Sequence, residues 1–222
     1  MRALVHVAPR AGAEAFAERF ETLCDSLRER AARQGMAVLC LHALEEDPLG
    51  AGNPYRTTLE VTGVGLAPDS AAWLFSGLGA RLEELAHADL STLLLGQEQV
   101  FLPSVRAPVR YQYLMRRNAH FSHEAYLKRY REVHADFGLK TPGILGYVQL
   151  HVDPEASRFA ACSAGLGVWG YDSVSELHLE SLEGFLRAVA SSEIGAQAVA
   201  DEELFVDRPR SQGFTSKVDW PA

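Results

Sequence analysis

The spacing of apolar positions changes period in a regular order along this chain. Residues 2–8 (RALVHVA) read as a short strand. Between residues 13 and 34, Phe16, Phe20, Leu23 and Leu27 recur three or four apart, which predicts a helix that Gly35 ends. Residues 36–44 (MAVLCLHAL) predict a second strand, and a turn-rich stretch from Glu45 to Pro54 follows. Residues 55–62 (YRTTLEVT) alternate and are rich in β-formers. A helix is expected from Pro68 to about residue 87, capped by Asp69 or Ser70, and a fourth strand within residues 91–102. The order is β-α-β-β-α-β.

The order then recurs at an offset of about 106–109 residues. Strand 109–116 leads to a helix over 123–137, capped by Ser122 and ended by Gly138. Strand 144–152 follows, then a long connection from Asp153 to Gly170, strand 172–180, helix 181–191, further helical sequence near 192–202 and a last strand at 203–207. PSVRAP (103–108) links two units, 1–105 and 109–217. Identity between the halves is low, with one echo: His42 falls in its strand where His151 falls in its own.

A β-α-β-β-α-β unit is the ferredoxin-like motif, whose sheet carries helices on one face only. Two in one chain can pack their open faces together. The expected fold is therefore α+β, tandem ferredoxin-like repeats forming a pseudo-dimer of the dimeric α+β barrel type, with a small ligand in the barrel interior. Alternation divides each strand between two sides. If apolar sides pack under helices, Tyr147, Gln149, His151, Glu176 and His178 face the interior. Val38, Cys40, His42, Thr58 and Glu60 are the matching set in the first half. The chemistry is expected in the second half, whose set is the more polar.

Composition narrows the partners. The chain has 222 residues and a net charge of −8, without clustered Lys and Arg, so nucleic acid is not an expected partner. No apolar run approaches the roughly 18 residues of a membrane span, so no membrane is expected either. The N-terminus reads as a strand followed by charged sequence, not as a signal peptide. Cys24, Cys40 and Cys162 are far apart and lack CxxC spacing, which favours reduced thiols and a cytoplasmic setting.

Four stretches, SHEAYLKRYREVHADF, PGILGYVQLHV, YDSVSELHLESLEGF and VADEELFVDRPRS, make residues 109–210 resemble the EthD domain family. Tyr130 stands where the family usually has Trp, and ACSAGLGVWG is an insert before Tyr171. The first half resembles the family only in element order. The resemblance implies a dimeric α+β barrel. Related barrels include polyketide dehydratases, cyclases and lactone isomerases that work by acid–base chemistry without a cofactor. It implies a small, apolar, oxygenated substrate, polyketide-like or aromatic. Pairing of two such chains into a homodimer is compatible with it.

The expected catalytic residues are His134, Tyr147, His151 and Glu176, with Arg110, Gln149, Tyr130 and His178 as substrate-binding residues. Tyr126, Tyr130 and His134 are four apart and share a helix face. A helix C-terminus would favour protonated His134 and lift its pKa toward the range of a general base. Tyr147 and His151 are expected as proton donor and partner, and Glu176 as the group that orients an imidazole. Gln149 and Arg110 would stabilise a carbonyl or enolate oxygen. The structural alternatives are a helix-end cap for His134, an unreactive polar lining for Tyr147 and His151, and a Glu176–Arg110 salt bridge. His120 and His123 read as surface residues, Asp201, Glu202 and Asp207 as structural. His134, His151, Glu176 and His178 have no metal-ligand spacing, so neither a metal nor another cofactor is expected. Gly165, Gly167 and Gly170 suggest a mobile insert over the barrel mouth. The leading function is an acid–base lyase, isomerase or cyclase. The alternatives are a non-catalytic binding or accessory protein and a haem- or oxygen-using barrel.

Overall fold

A computed structural model describes residues 1–10, 16–104 and 106–220; the predicted helix residues 13–15 and Val105 of the linker lie outside the described residues. The strands are β1 (Arg2–Val7), β2 (Met36–Ala43), β3 (Thr57–Gly63), β4 (Thr92–Leu102), β5 (Val109–Met115), β6 (Ile144–Val152), β7 (Ser173–Leu179) and β8 (Gln212–Asp219). They close into one antiparallel barrel in the order β1-β3-β2-β8-β5-β7-β6-β4. Each half contributes four neighbours in the order fourth, first, third, second. The ladders β2–β8 and β4–β6 join the halves, so both ends of each four-stranded sheet are paired.

Helices cover the outside: α1 (Phe16–Ala32), α2 (Pro68–Phe75), α3 (Leu78–Leu82), α4 (His123–Arg129), α5 (Ala135–Lys140), α6 (Pro154–Ala164), α7 (Leu182–Ala190) and α8 (Ile194–Phe205). Gly35, at φ 66°, turns the chain out of α1 as its sequence predicts. The helix expected from 68 to 87 breaks instead at Ser76–Gly77, where Gly77 has φ 71°. Gly138 does not end the helix that Ser122 caps. The helix runs through a π-helical segment, Tyr130–His134, and α5 to Lys140. A Cβ on Gly138 would collide with the Tyr147 ring, so this glycine is fixed by close approach and not by a turn.

Two further expectations need correction. The insert after Asp153 is not a loose cover, because it contains α6. Asp153 Oδ1 accepts from Glu155 N and Ala156 N, Pro154 opens the helix, and Gly165 (φ 72°) closes it. Its alanine face (Ala156, Ala160, Ala161, Ala164) packs into the first-half core with Leu74, Leu78 and Leu95. The last strand is Gln212–Asp219, not 203–207. Phe205 belongs to α8 and packs on Tyr126 and Tyr130, so ELFVD is an apolar helix end, not a strand.

Residues directly opposite in a ladder point to the same face, so register settles which side chains enter the barrel. Leu4 pairs with Glu60, Gln112 with Glu176, Val148 with Glu176, and Leu150 with Val174. Leu150, Val174 and Glu176 therefore share the interior with Val148. Tyr147, Gln149 and His151 face the opposite way, under α4 and α5, where Gln149 meets the Tyr130 carbonyl. Their predicted placement inside the barrel is overturned. Val38 and Cys40 are likewise under α1, in the cluster containing Phe20, Leu23 and Leu27. Thr58, Glu60, Glu176 and His178 do turn inward, as expected.

The interior is packed. Leu4, Leu94, Leu114, Leu150, Val174 and Phe214 meet there, all essentially inaccessible, with Tyr55 and Tyr171 at one end. At the other end Arg2 and Arg110 bridge Glu60 and Glu176. The ligand-holding hollow expected between the sheets is filled by these side chains at its centre, and its charged end opens into a cleft of about 290 Å³ lined by Arg2, Glu60, Arg110, Val148 and His178. No described helix is long and apolar enough to cross a membrane.

Candidate functional site

Between α4–α5–α8 and the outer face of β5–β6–β7, the second half buries a polar, aromatic layer. Ser122 Oγ accepts from Ala125 N and fixes the start of α4. Tyr126 and Tyr130 then stack at 6.0 Å, and Tyr130 lies 5.8 Å from the rings of both His134 and His151. The π-helical segment spans Tyr130 to His134, and such segments concentrate at functional sites. Tyr126 and Ser173 share a 2.6 Å hydrogen bond, while the buried Tyr130 hydroxyl has no partner of good geometry among the described residues.

Gln149 is the hub of this layer. Its Nε2 donates to Tyr147 Oη at 2.6 Å and to the Tyr130 carbonyl at 3.2 Å. Its Oε1 accepts from His151 Nε2 at 2.8 Å. Because the amide oxygen can only accept, His151 carries its proton on Nε2, and Nδ1 is left as a base. Burial, then Arg131 and His123, lower the His151 pKa to about 4, so the ring is neutral near pH 7. Burial raises Tyr147 to about 12, so it stays a phenol.

His151 also lines an open cleft of about 420 Å³ with His123, Glu124, Leu127, Lys128 and Arg131. Two cations against one carboxylate favour an oxyanion there. His123 Nδ1 lies 2.8 Å from Asp172 Oδ1 and its Nε2 3.0 Å from the Val152 carbonyl oxygen, so the ring is held between two acceptors. Asp172 also accepts from Arg117, and so ties the cleft wall to β7. His123 is thus part of the cleft rather than a bare surface residue. Neither it nor Asp172 stands out in sequence, since their link spans 49 residues.

His134 lies deeper in the same layer. Its Nδ1 donates to Asp201 Oδ2 at 2.9 Å, Arg129 also binds Asp201, and His134 Nε2 is 3.8 Å from Glu202 Oε1. Phe137, Phe205 and Tyr130 surround its ring at 5.3–5.8 Å. The expected rise in the His134 pKa is not found. The helix continues past it, burial lowers the pKa, and Asp201 opposes that only in part. Burial also raises Glu202 to about 7, against the pull of Arg208. Asp201 and Glu202 are therefore partners of His134, at 2.9 and 3.8 Å.

Glu176, Arg110 and His178 belong to a different place, the charged end of the barrel. Arg2 Nη2 lies 2.6 Å from Glu60 Oε2, and Arg2 also contacts Glu176; Arg110 contacts Glu60 and stands 3.8 Å from Glu176. Gln112 Nε2 donates to Glu176 Oε1 at 2.6 Å. Burial alone would raise Glu176, but Arg2 and Arg110 hold it at about 2. Burial and Arg110 lower His178 to about 4, and its Nδ1 is 2.5 Å from Ser104 Oγ. The structure thus brings together Tyr130, His134, Tyr147, Gln149 and His151 on one side of the sheet. It sets Arg110, Glu176 and His178 on the other. Among the described residues, one trio, Glu21, His42 and Asp219, places metal-ligand atoms within 4.8 Å of one another. Arg28 already neutralises both carboxylates, at 2.7 and 3.2 Å.

No curated protein matches this sequence. The fold is similar to an anthrone oxidase-like protein (TM-score 0.64, 12% identity, covering 99% of this chain and 90% of that one). It is similar to a mutant chlorite dismutase from Candidatus Nitrospira defluvii (TM-score 0.56, 10% identity, 99% and 91%). It also resembles a protein from Lactobacillus acidophilus NCFM whose name proposes a monooxygenase (TM-score 0.56, 9% identity, 99% and 93%). At such identities the likeness concerns the fold, that of the dimeric α+β barrels. Residues 118–209, which hold the π-helical segment, His134, Gln149, His151 and Asp201, match the EthD domain family.

Proposed function

We propose that the chain is an acid–base enzyme acting on a small oxygenated carbon acid, such as an aryl or polyketide-like ketone, held in the His151 cleft. The observation that carries this is the Gln149–His151 hydrogen bond, which fixes a neutral imidazole with a basic Nδ1 at a cation-lined cleft. His151 Nδ1 takes the proton from the carbon next to the carbonyl. The C–H pair moves to form the enolate, whose oxygen is met by Lys128 and Arg131. The same proton then returns to another carbon, or a group on the next carbon departs. Those two outcomes are isomerisation and elimination.

Tyr147 acts through Gln149 as a positioning residue, since its hydroxyl is sealed two residues behind the cleft. His134, Asp201 and Glu202 hold a second proton-exchanging cluster in the same layer. The reading also takes the two halves as tandem ferredoxin-like units, the first stripped of the proton-handling side chains. Haem fits poorly at His134, whose buried ring is packed against Phe137, Phe205 and Tyr130 with Glu202 near its Nε2.

The test is deuterium wash-in at the α-carbon of aryl ketones bearing a second oxygen, followed by NMR with oxygen uptake recorded alongside. Catalysed exchange that falls about 10²-fold or more in His151→Ala, with ligand binding retained, is the expected result. Oxygen uptake in step with substrate loss would assign the carbanion to oxidation instead. Tight binding without exchange or uptake would make the chain a binding protein and overturn the proposal.

A further inference from the structure

We propose that the first half holds a second small-molecule site, a cleft at His42 that takes a neutral, phenol-like aromatic compound. In the β2–β3 ladder His42 pairs with Thr57, and in the β6–β7 ladder His151 pairs with Ser173. The two histidines hold corresponding places on corresponding strands. Each borders an open cleft of about 420 Å³ beside the first long helix of its half. Correspondence in the backbone has thus kept a cavity while the side chains around it changed.

The walls differ in a way that selects the ligand. The His42 cleft is lined by Phe16, Ala17, Phe20, Arg56 and Thr57, with Phe16 and Phe20 stacked at 5.3 Å along one side. Arg56 and Glu45 contribute one charge of each sign, where the His151 cleft has an excess cation. Glu21 and Asp219 lie within 4.8 Å of the His42 ligand atom, so an anion seated on the imidazole would meet two carboxylates that Arg28 already engages. A neutral hydroxyl meets no such repulsion. The half-buried His42 ring makes no side-chain hydrogen bond among the described residues, and can pair with that hydroxyl. An aromatic body then lies on the phenylalanines. Behind His42 stand Cys40 and Val38, where Gln149 and Tyr147 stand behind His151. Among the described residues neither Val38 nor Cys40 bonds the His42 ring, so no relay like Gln149 and Tyr147 stands behind it, and the site binds without turnover. The inference does not require the His151 cleft to be catalytic.

Equilibrium titration with para-nitrophenol, at a pH where phenol and phenolate coexist, separates the two clefts because the two forms absorb differently. The expected result is binding of the phenol form that persists in His151→Phe. It weakens about tenfold in His42→Phe, the loss of about one hydrogen bond. It vanishes in Ala17→Trp, which fills the mouth from an exposed helix position and leaves the core untouched. Absence of phenol-form binding in the wild-type chain, its loss in His151→Phe, or its survival in Ala17→Trp would each overturn the proposal.

Discussion

The outer faces of β2 and β6 are two solutions to covering one kind of surface. Under α1, β2 presents Val38 and Cys40 to Phe20, Leu23, Leu27 and Ala31, and the layer is apolar apart from one contact, Arg28 Nη2 to Cys40 Sγ at 3.3 Å. Under α4 and α5, β6 presents Tyr147 and Gln149 to Tyr130, and the layer is held by directed bonds. Helix spacing is adjusted to match. Gly138 makes room for the Tyr147 ring, whereas the first-half helix carries Ala31 in the same cluster as Val38. A hydrophobic layer needs only volume and shape, but a buried polar layer needs every partner in place. The second half has given up freedom of substitution to hold these polar groups in fixed bonds.

The charged barrel end is common to both halves, and breaking it should have the largest effect. Arg2 precedes Leu4, the partner of Glu60, by the same two residues as Arg110 precedes Gln112, the partner of Glu176. The two Arg–Glu sets are therefore matched, one from each half. Glu176→Ala leaves Arg2 and Arg110 buried with only part of their counter-charge and should cost about 3–5 kcal/mol in urea unfolding. A loss below about 1 kcal/mol would mean that the halves are not held together by these charges.

Acid should act next. His6, His151 and His178 are held at about 3, 4 and 4, chiefly by burial, and His134 is lowered as well. Below the ordinary value of 6.5 the unfolded chain takes up protons that the folded chain refuses, so stability falls as pH falls from 6.5 toward 4. Glu202, raised to about 7, works in the opposite direction, since between 4.5 and 7 it is the folded chain that holds the extra proton. His6, His151 and His178 against the one carboxyl leave a net two protons, or about 3 kcal/mol lost per pH unit near pH 5, and His134 adds to the loss with the same sign. Unfolding measured at pH 6.5 and 5.0 checks both sign and slope. His6 and His178 lie inside the barrel, whereas His151 and Glu202 lie in the second-half layer and act in opposite directions, so replacing that layer with its first-half counterpart should leave most of the slope in place.

Much of this fold was readable from periodicity. The strand-to-helix order and the His42–His151 echo follow from local patterns, and the ladders place both histidines as that echo requires. What failed had a common cause. Assigning Tyr147, Gln149 and His151 to the interior assumed that apolar sides always lie under helices. Pairing of Val148 with Glu176 puts a hydrocarbon and a carboxylate on the same face, and register of this kind is not written in either strand alone. Asp201 and Asp172 were hidden for a related reason. Their partners, His134 and His123, are 67 and 49 residues away, and a contact at that distance leaves no local spacing. The 203–207 segment misleads because three successive apolar residues at a helix end, Leu204, Phe205 and Val206, look like a short strand until Phe205 is seen against Tyr126.

A glycine substitution probes the fit between helix and sheet directly. Gly→Ala inside an ordinary helix stabilises by about 1 kcal/mol. At Gly138 the added methyl meets the Tyr147 ring, so the sign should reverse and about 1–3 kcal/mol should be lost as the ring is displaced. Stabilisation by Gly138→Ala would show that α5 can move away from the sheet without cost, and that the layer is looser than its hydrogen bonds suggest.

The smallest energetic change should carry the most chemical information. Gln149→Leu keeps volume but removes donors to Tyr147 and Tyr130 and the acceptor for His151, at a cost of about 1–3 kcal/mol to stability, toward the lower end if water reaches the exposed edge at His151. The imidazole would then be free to carry its proton on either nitrogen. Nitrogen-15 NMR of His151 should change from one tautomer to a mixture, and any α-proton exchange should fall with little change in substrate affinity. A variant with a mixed tautomer but full exchange would separate the hydrogen bond from the reaction. Cys40→Leu, at the position in β2 that corresponds to Gln149, is the paired control. It removes one weak Arg28–Sγ contact from an apolar layer but no bond to the His42 ring, and should leave the His42 tautomer distribution unmoved. If both histidines respond alike, the contrast between the two halves is one of composition and not of function.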